Sequence, residues 1–165
     1  MDTTRATRDA ATCRAVIAGA TEAVGELLAP LWQVQGAELG ALLAQLDELA
    51  SRAGGARVAV AAEAQTRGEI TASQAGSTAT WIAAHAPSAS AGTGAAGVAR
   101  LLREGTRRDC LPVLAAVTSG RIGVSVGLAV FGEFGRLRPR WRDGAAPTVL
   151  EGLLELGRAD GARGV

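Results

Sequence analysis

The stretch AELGALLAQLDELASRA, residues 37–53, decides the fold class. Its leucines recur at spacings of three and four residues, with acidic and amide side chains at the positions between them. This is the period of an α-helix with one apolar stripe. The leucines of that stripe are Leu39, Leu42, Leu43, Leu46 and Leu49. The pattern predicts an amphipathic helix over residues 37–53.

The segments on either side have helical character too. Residues 9–28 are rich in alanine, with apolar side chains on one side, and Pro30 ends the helix that they predict. After the breaking pair Gly54-Gly55, residues 57–67 combine valines spaced as in a strand with alanines that favour a helix. We predict a separate third helix there.

Further helices are predicted up to the C-terminal end. Hydroxyl residues suited to an N-cap precede Trp81, and Pro87 closes the short helix that contains it. Thr148 and Glu151 have the spacing of a capping box at the start of the last helix. The remaining predicted helices span 98–104, 112–118, 124–136 and 148–158. The sequence therefore predicts an all-α, irregular bundle of about seven or eight helices without a sheet, divided into an N-terminal helix over 1–30 and a helical domain over 31–165.

Composition excludes several classes of chemistry. The chain of 165 residues has no Asn, a single histidine, His85, and two cysteines, Cys13 and Cys110, far apart in sequence. Neither a disulfide framework nor a Cys/His metal centre fits this set. The pattern G-x-G-x-x-G over 92–97 lacks the preceding strand and the later acidic residue of a dinucleotide site. We predict no catalytic residue, no metal, no cofactor and no small-molecule substrate.

Neither an export signal nor a membrane span is recognisable. The apolar run at 15–20 is shorter than the core of a signal peptide. The longest uncharged stretch, 70–99, is rich in Ser, Thr and Gly and is interrupted by Pro87. We expect a cytoplasmic protein that does not contact a membrane.

Charge is distributed unevenly along the chain. All 17 basic residues are arginine; residues 1–95 hold 6 of them against 9 acidic residues, while residues 96–165 hold 11 against 7. Arginines clustered in this way can contact phosphates, but a solvated face that offsets nearby acids is the explanation that the nearly balanced total charge favours. The candidate nucleic-acid-binding residues are Arg107, Arg108, Arg136, Arg138, Arg140 and Arg142. Trp81 is predicted to be a structural anchor of the core.

Four motifs carry a resemblance to a known family. They are EAQTRGEI at 63–70, AGSTATWI at 75–82, LPVLAAVTSGRI at 111–122 and EFGRLRPR at 133–140. Together they resemble the domain of unknown function that precedes HNH endonuclease domains in actinobacterial proteins, the thirteen-E-twelve repeat family. The resemblance covers about residues 31–165. Residues 87–97, rich in Gly and Ala, depart from the charged helix of many members.

The resemblance implies a helical N-terminal region of a truncated HNH endonuclease-like protein. The HNH module itself needs two or more histidines, usually an asparagine, and a metal, and this chain does not contain them. We therefore expect no enzymatic activity from this chain by itself. Two functions stay open. One is association with DNA, because residues 77–105 have the spacing of a helix-turn-helix. The other is a structural role, in which the leucine stripe pairs with a second copy of the chain or with a missing C-terminal HNH domain.

Overall fold

The computed structural model describes residues 10–90, 94–142 and 144–165. Eight α-helices are present in these residues: α1 Ala10–Glu26, α2 Gly36–Thr66, α3 Glu69–Ala72, α4 Thr78–His85, α5 Ala95–Gly105, α6 Leu111–Thr118, α7 Val124–Leu137 and α8 Ala146–Asp160. Single 3-10 turns join or extend them at Leu31–Gln33, Pro87–Ser90, Arg108–Cys110, Arg138–Arg140 and Gly161–Arg163.

The predicted fold class is confirmed. Every regular element in the described residues is helical, and no strand occurs among them. No helix in these residues is long and apolar enough to cross a membrane. The chain is a multi-helix protein in which helical periodicity alone organises the apolar side chains.

The chain divides into two compact units, one ending at Ala44 and the other comprising residues 45–165. In the first unit, the described residues include α1 and the beginning of α2, and none of them is buried. Val16, Ile17 and Leu28 are all more than half exposed. Helical propensity, rather than a core, therefore supports this unit.

The second unit contains the hydrophobic core. Its five largest fully buried side chains come from α2, α5, α6 and α7, and they are Leu101, Val58, Val113, Val117 and Val130. The pairs α4 with α5, α5 with α7, α6 with α7, and α7 with α8 lie in contact. Aliphatic side chains dominate, and Phe131 and Phe134 add aromatic volume from α7. Trp81 packs against this core from α4 as a half-buried side chain.

The predicted break at Gly54-Gly55 is wrong, because α2 continues through both glycines to Thr66. Gly55 is buried, and a Cβ atom at this position would collide with the backbone carbonyl oxygen of Val117 in α6. Gly120, at a φ of 73°, meets α2 in the same way, because a Cβ there would lie 2.7 Å from Arg52 Cγ. The glycine at 55 thus serves close packing of two elements rather than ending a helix.

Two helix starts were predicted from hydroxyl residues, with different outcomes. Ser77 caps α4 as expected, since its Oγ accepts a hydrogen bond of 3.1 Å from the backbone N–H of Thr80. The capping box at Thr148 and Glu151 is wrong. Helix α8 begins two residues earlier, at Ala146, and no side chain caps it. Pro147 occupies its first turn, where the fixed φ angle of proline already suits a helix.

The two adjacent glycines of α2 allow a matched test of this packing. In Gly54→Ala the new Cβ would lie 3.6 Å from Val124 Cγ2, an ordinary contact. We expect this variant to gain about 0.5–1 kcal/mol in the free energy of unfolding through helix propensity. We expect Gly55→Ala to lose about 1–3 kcal/mol because α2 and α6 must separate. Urea denaturation of both variants measures the difference, and equal effects at the two positions would contradict the close approach.

Candidate functional site

Arginines from three segments of the chain surround one small cavity in the second unit. The cavity has a volume of about 190 Å³ and is lined by Arg100 on α5, Arg107 in the loop that follows α5, and Arg138 directly after α7. The cavity lies against Phe131 and Cys110, so its inner wall is apolar. Burial raises the pKa of the Cys110 thiol, which keeps that group neutral and leaves the arginines as the positive charges of the cavity.

A second cavity adjoins the first and shares Arg138 with it. It has a volume of about 180 Å³ and is also lined by Trp141 and Arg142. The Trp141 ring packs edge-on against Phe134, with ring centroids 4.6 Å apart. Its indole N–H is buried and has no hydrogen-bond acceptor among the described residues. The lining also includes Asp109, so two guanidinium groups face one carboxylate, and the excess positive charge suits an anionic oxygen atom.

Carboxylates neutralise part of this positive charge. Arg107 lies 3.6 Å from Glu104, and Arg138 lies 3.6 Å from Asp109. Both arginine side chains remain about half exposed, so these ion pairs are solvated and weak. No ion pair is formed by Arg100 or Arg142 among the described residues. The surface around the two cavities therefore keeps an excess of positive charge.

Of the six predicted arginines, the fold brings three together at these cavities: Arg107, Arg138 and Arg142. Arg136 instead forms an ion pair with Glu133 one turn earlier on α7. Arg140 lines neither cavity. Sequence reasoning did not single out Arg100 or the Trp141 indole N–H for the site. Arg100 reaches it through the packing of α5 against α7, and the indole N–H is buried through the packing of Trp141 on Phe134.

Arg108, the sixth predicted residue, lines a larger groove that shares Asp109 and Ala146 with the second cavity. This groove of about 570 Å³ lies between α6 and α8. Its floor is apolar and includes the buried Leu150 and Ile122. Its charged residues balance in number, and they are Arg108, Arg121, Arg158, Asp109, Glu151 and Glu155. With no excess of either sign, the groove does not select for an anion.

The helix-turn-helix interpretation meets a limit in α5. Residues 91–93, which include part of the predicted turn and of the G-x-G-x-x-G pattern, lie outside the described residues. On α5, most positions are buried, and the exposed side chains are Ala96, Arg100 and Arg103. Arginine side chains bind phosphates and guanine edges alike, so the exposed surface of α5 suits either kind of contact.

The only histidine of the sequence has a local structural role. The His85 ring packs against Trp81, with ring centroids 4.3 Å apart, and its Nδ1 lies 2.8 Å from the Trp81 carbonyl oxygen. Both contacts lie within α4. Among the described residues, no group of three or more His, Cys, Asp or Glu side chains comes together as a metal site would require.

Comparisons of the chain with models of protein families, with curated proteins and with solved structures gave no match. The geometry of the arginine surface and the motifs of the sequence are therefore the basis for an assignment of function.

The ion pair between Glu133 and Arg136 predicts a pH dependence. The hydrogen bond from Arg136 lowers the pKa of the Glu133 carboxyl. The ion pair therefore stabilises the folded state fully above the pKa of the unfolded-state carboxyl, about 4.3. This stabilisation is lost as the pH falls through the lower pKa that the carboxyl has in the folded state. We expect Arg136→Gln to raise the pKa of Glu133, as measured by NMR titration of its carboxyl carbon. An unchanged pKa in this variant would contradict the pairing.

Proposed function

We propose that this chain is a non-catalytic helical module that associates with DNA as the N-terminal region of an HNH endonuclease-like protein. The observation that carries the proposal is the convergence of four arginines on two adjoining cavities that share Arg138. These arginines are Arg100, Arg107, Arg138 and Arg142. Guanidinium groups bind phosphate oxygens through paired N–H donors, and the sequence-independent part of DNA affinity comes from such contacts.

The unpaired indole N–H of Trp141 supports the same chemistry. A buried donor without an acceptor costs free energy, and a phosphate oxygen in the second cavity, which Trp141 lines, would satisfy it once the ring turned its N–H towards that cavity. A phosphate there would also be held by Arg138 and Arg142. The site would thus combine two charges with one directed hydrogen bond.

The resemblance to the HNH-associated domain supports DNA as the polyanion. In such a protein a separate nuclease module would carry out cleavage, and this region would hold the duplex. Contacts to phosphates position a protein on DNA and carry little sequence information. We propose association without strong sequence preference.

Salt dependence tests the arginine surface directly. Each phosphate contact adds about 0.9 to the slope of log affinity against log salt concentration for B-DNA. We expect Arg138→Gln combined with Arg142→Gln to lower that slope by about 1.8, as measured by fluorescence anisotropy with a labelled duplex. Trp141→Phe keeps an aromatic ring but removes the N–H, and we expect it to weaken binding about fivefold, the value of one hydrogen bond.

The matched control is Arg67→Gln, which removes one charge at the end of α2, where Arg67 pairs with Glu63. This variant should leave the slope unchanged. Absence of salt-dependent binding by the unmodified chain at low ionic strength would contradict the proposed function. A loss of about 0.9 in Arg67→Gln, the same loss per charge as in the double variant, would show that net charge, and not this surface, determines binding.

The proposal also predicts that the purified chain does not cleave DNA. A single histidine that packs on Trp81 and two distant cysteines do not supply the ligands of a nuclease metal centre. We expect supercoiled plasmid to stay intact with Mg²⁺, Mn²⁺ or Zn²⁺, as judged by gel electrophoresis. Cleavage that disappears in His85→Ala would overturn this part of the proposal.

A structural or self-association module is the second candidate. One observation favours it. Several leucines of α2 are exposed, and a contiguous apolar patch of this kind is costly on the surface of a monomer. Self-association and DNA binding use different surfaces of the molecule, so each is testable without the other.

A further inference from the structure

Helix α2 carries an apolar stripe that the described residues leave uncovered. The exposed fractions are 47% for Leu39, 70% for Leu43, 36% for Leu46 and 42% for Leu49. Leu42, which is half-buried, completes the stripe. Single exposed leucines are common on protein surfaces, but five of them on about three turns of one helix form a continuous patch. Such a patch is typical of a surface that binds another helix.

The core uses a different part of α2. All buried residues of this helix follow the stripe in sequence, from Gly55 to Ala64. The close approach of Gly55 to Val117 fixes which side of the helix faces α6 there. The stripe is therefore available to a partner without rearrangement of the core.

The spacing of the leucines matches the core positions of a coiled coil. Leu39 and Leu46 occupy a positions, and Leu42 and Leu49 occupy d positions. In an antiparallel pair of identical helices, a side chains pack against d side chains of the partner. One register places Leu39 opposite Leu49 of the second copy and Leu42 opposite Leu46 of the second copy. Every core layer then consists of leucine from both helices.

Charge determines the direction of the pairing. In this antiparallel register the flanking g positions bring Glu38 beside Arg52 of the second copy, and the symmetry forms this ion pair twice. A parallel pair would instead place Arg52 beside Arg57 of the second copy, again twice, and like charges repel. Arg52 now pairs with Glu48 of its own helix, but both side chains are more than half exposed, so that ion pair is weak and exchangeable.

We infer that the occupant of the stripe is a second copy of this chain, bound through an antiparallel pairing of α2 helices. On its other flank the same register places Leu43 beside Leu43 of the second copy, which covers the most exposed leucine of the stripe. The interface is three to four turns long, so it belongs to the small class that gives weak, concentration-dependent dimers. This inference goes beyond the proposed association with DNA and does not depend on it.

Sedimentation velocity without nucleic acid, over a wide range of protein concentrations, tests the dimer. We expect the unmodified chain to shift from monomer to dimer as concentration rises, and Leu43→Asp to stay monomeric throughout. The matched control is Val60→Asp on the same helix, at a position with a similar exposed fraction of 65% that lies beyond the paired stretch of leucines. It should dimerise like the unmodified chain. A monomer at every concentration, or equal disruption by both variants, would overturn the inference.

Charge reversal tests the direction. Glu38→Arg and Arg52→Glu should each weaken the dimer roughly tenfold, because each replaces two ion pairs by two repulsions. The double variant should restore the original affinity, because the acidic and basic side chains then change places and again form two ion pairs. A parallel pairing predicts the reverse for Arg52→Glu, because the new carboxylate would then attract Arg57 of the second copy. A tighter dimer of this single variant would therefore overturn the antiparallel register.

Discussion

The close approach of α2 to the end of α6 is the constraint that allows the C-terminal part of α2 to pack on the core of the second unit. The chain is rich in alanine and glycine and poor in large aromatic side chains, so little side-chain volume is available to fill the space between distant helices. Contact of backbones compensates for this. Gly55 permits it on α2, and Gly120 permits it where α6 ends. Gly127 repeats the device on α7, where a Cβ would lie 2.5 Å from Val117 Cγ2. The core is thus dense because glycines let helix backbones come close together, as well as because side chains pack well.

The sequence predicted the fold class because the apolar period of most helices is visible locally. It did not predict that α2 is continuous, because the propensity of Gly54-Gly55 describes an isolated helix and not one whose glycine packs against Val117. The start of α8 was misplaced for a related reason. The spacing of Thr148 and Glu151 fits a capping box, but Pro147 makes an earlier start equally favourable, and the pattern does not rank the two.

The sequence predicted that the candidate site consists of arginines, but it did not predict which arginines lie together. Clustering along the chain drew attention to the arginines around Pro139, yet neighbours in sequence point to different places on the surface. Arg138 reaches Asp109, which lies 29 positions earlier, whereas Arg136 is retained by Glu133 on its own helix. The part played by Arg100 depends on the contact of α5 with α7, and that contact is a property of the tertiary structure. Nor does local sequence indicate that the Trp141 indole N–H is left without an acceptor.

The absence of buried residues from the described part of the first unit has a consequence for cooperativity. A helix that buries no side chain is held by little more than its own hydrogen bonds, so α1 opens at a small fraction of the free energy that unfolds the core. Its amide protons exchange with solvent while the second unit stays folded. Heat or urea then melts the second unit as one cooperative body, and the main transition reports on residues 45–165 alone. The two units of one chain thus unfold in different ways. The helix of the first unit unfolds gradually by the helix–coil equilibrium, and the second unit unfolds in a two-state transition.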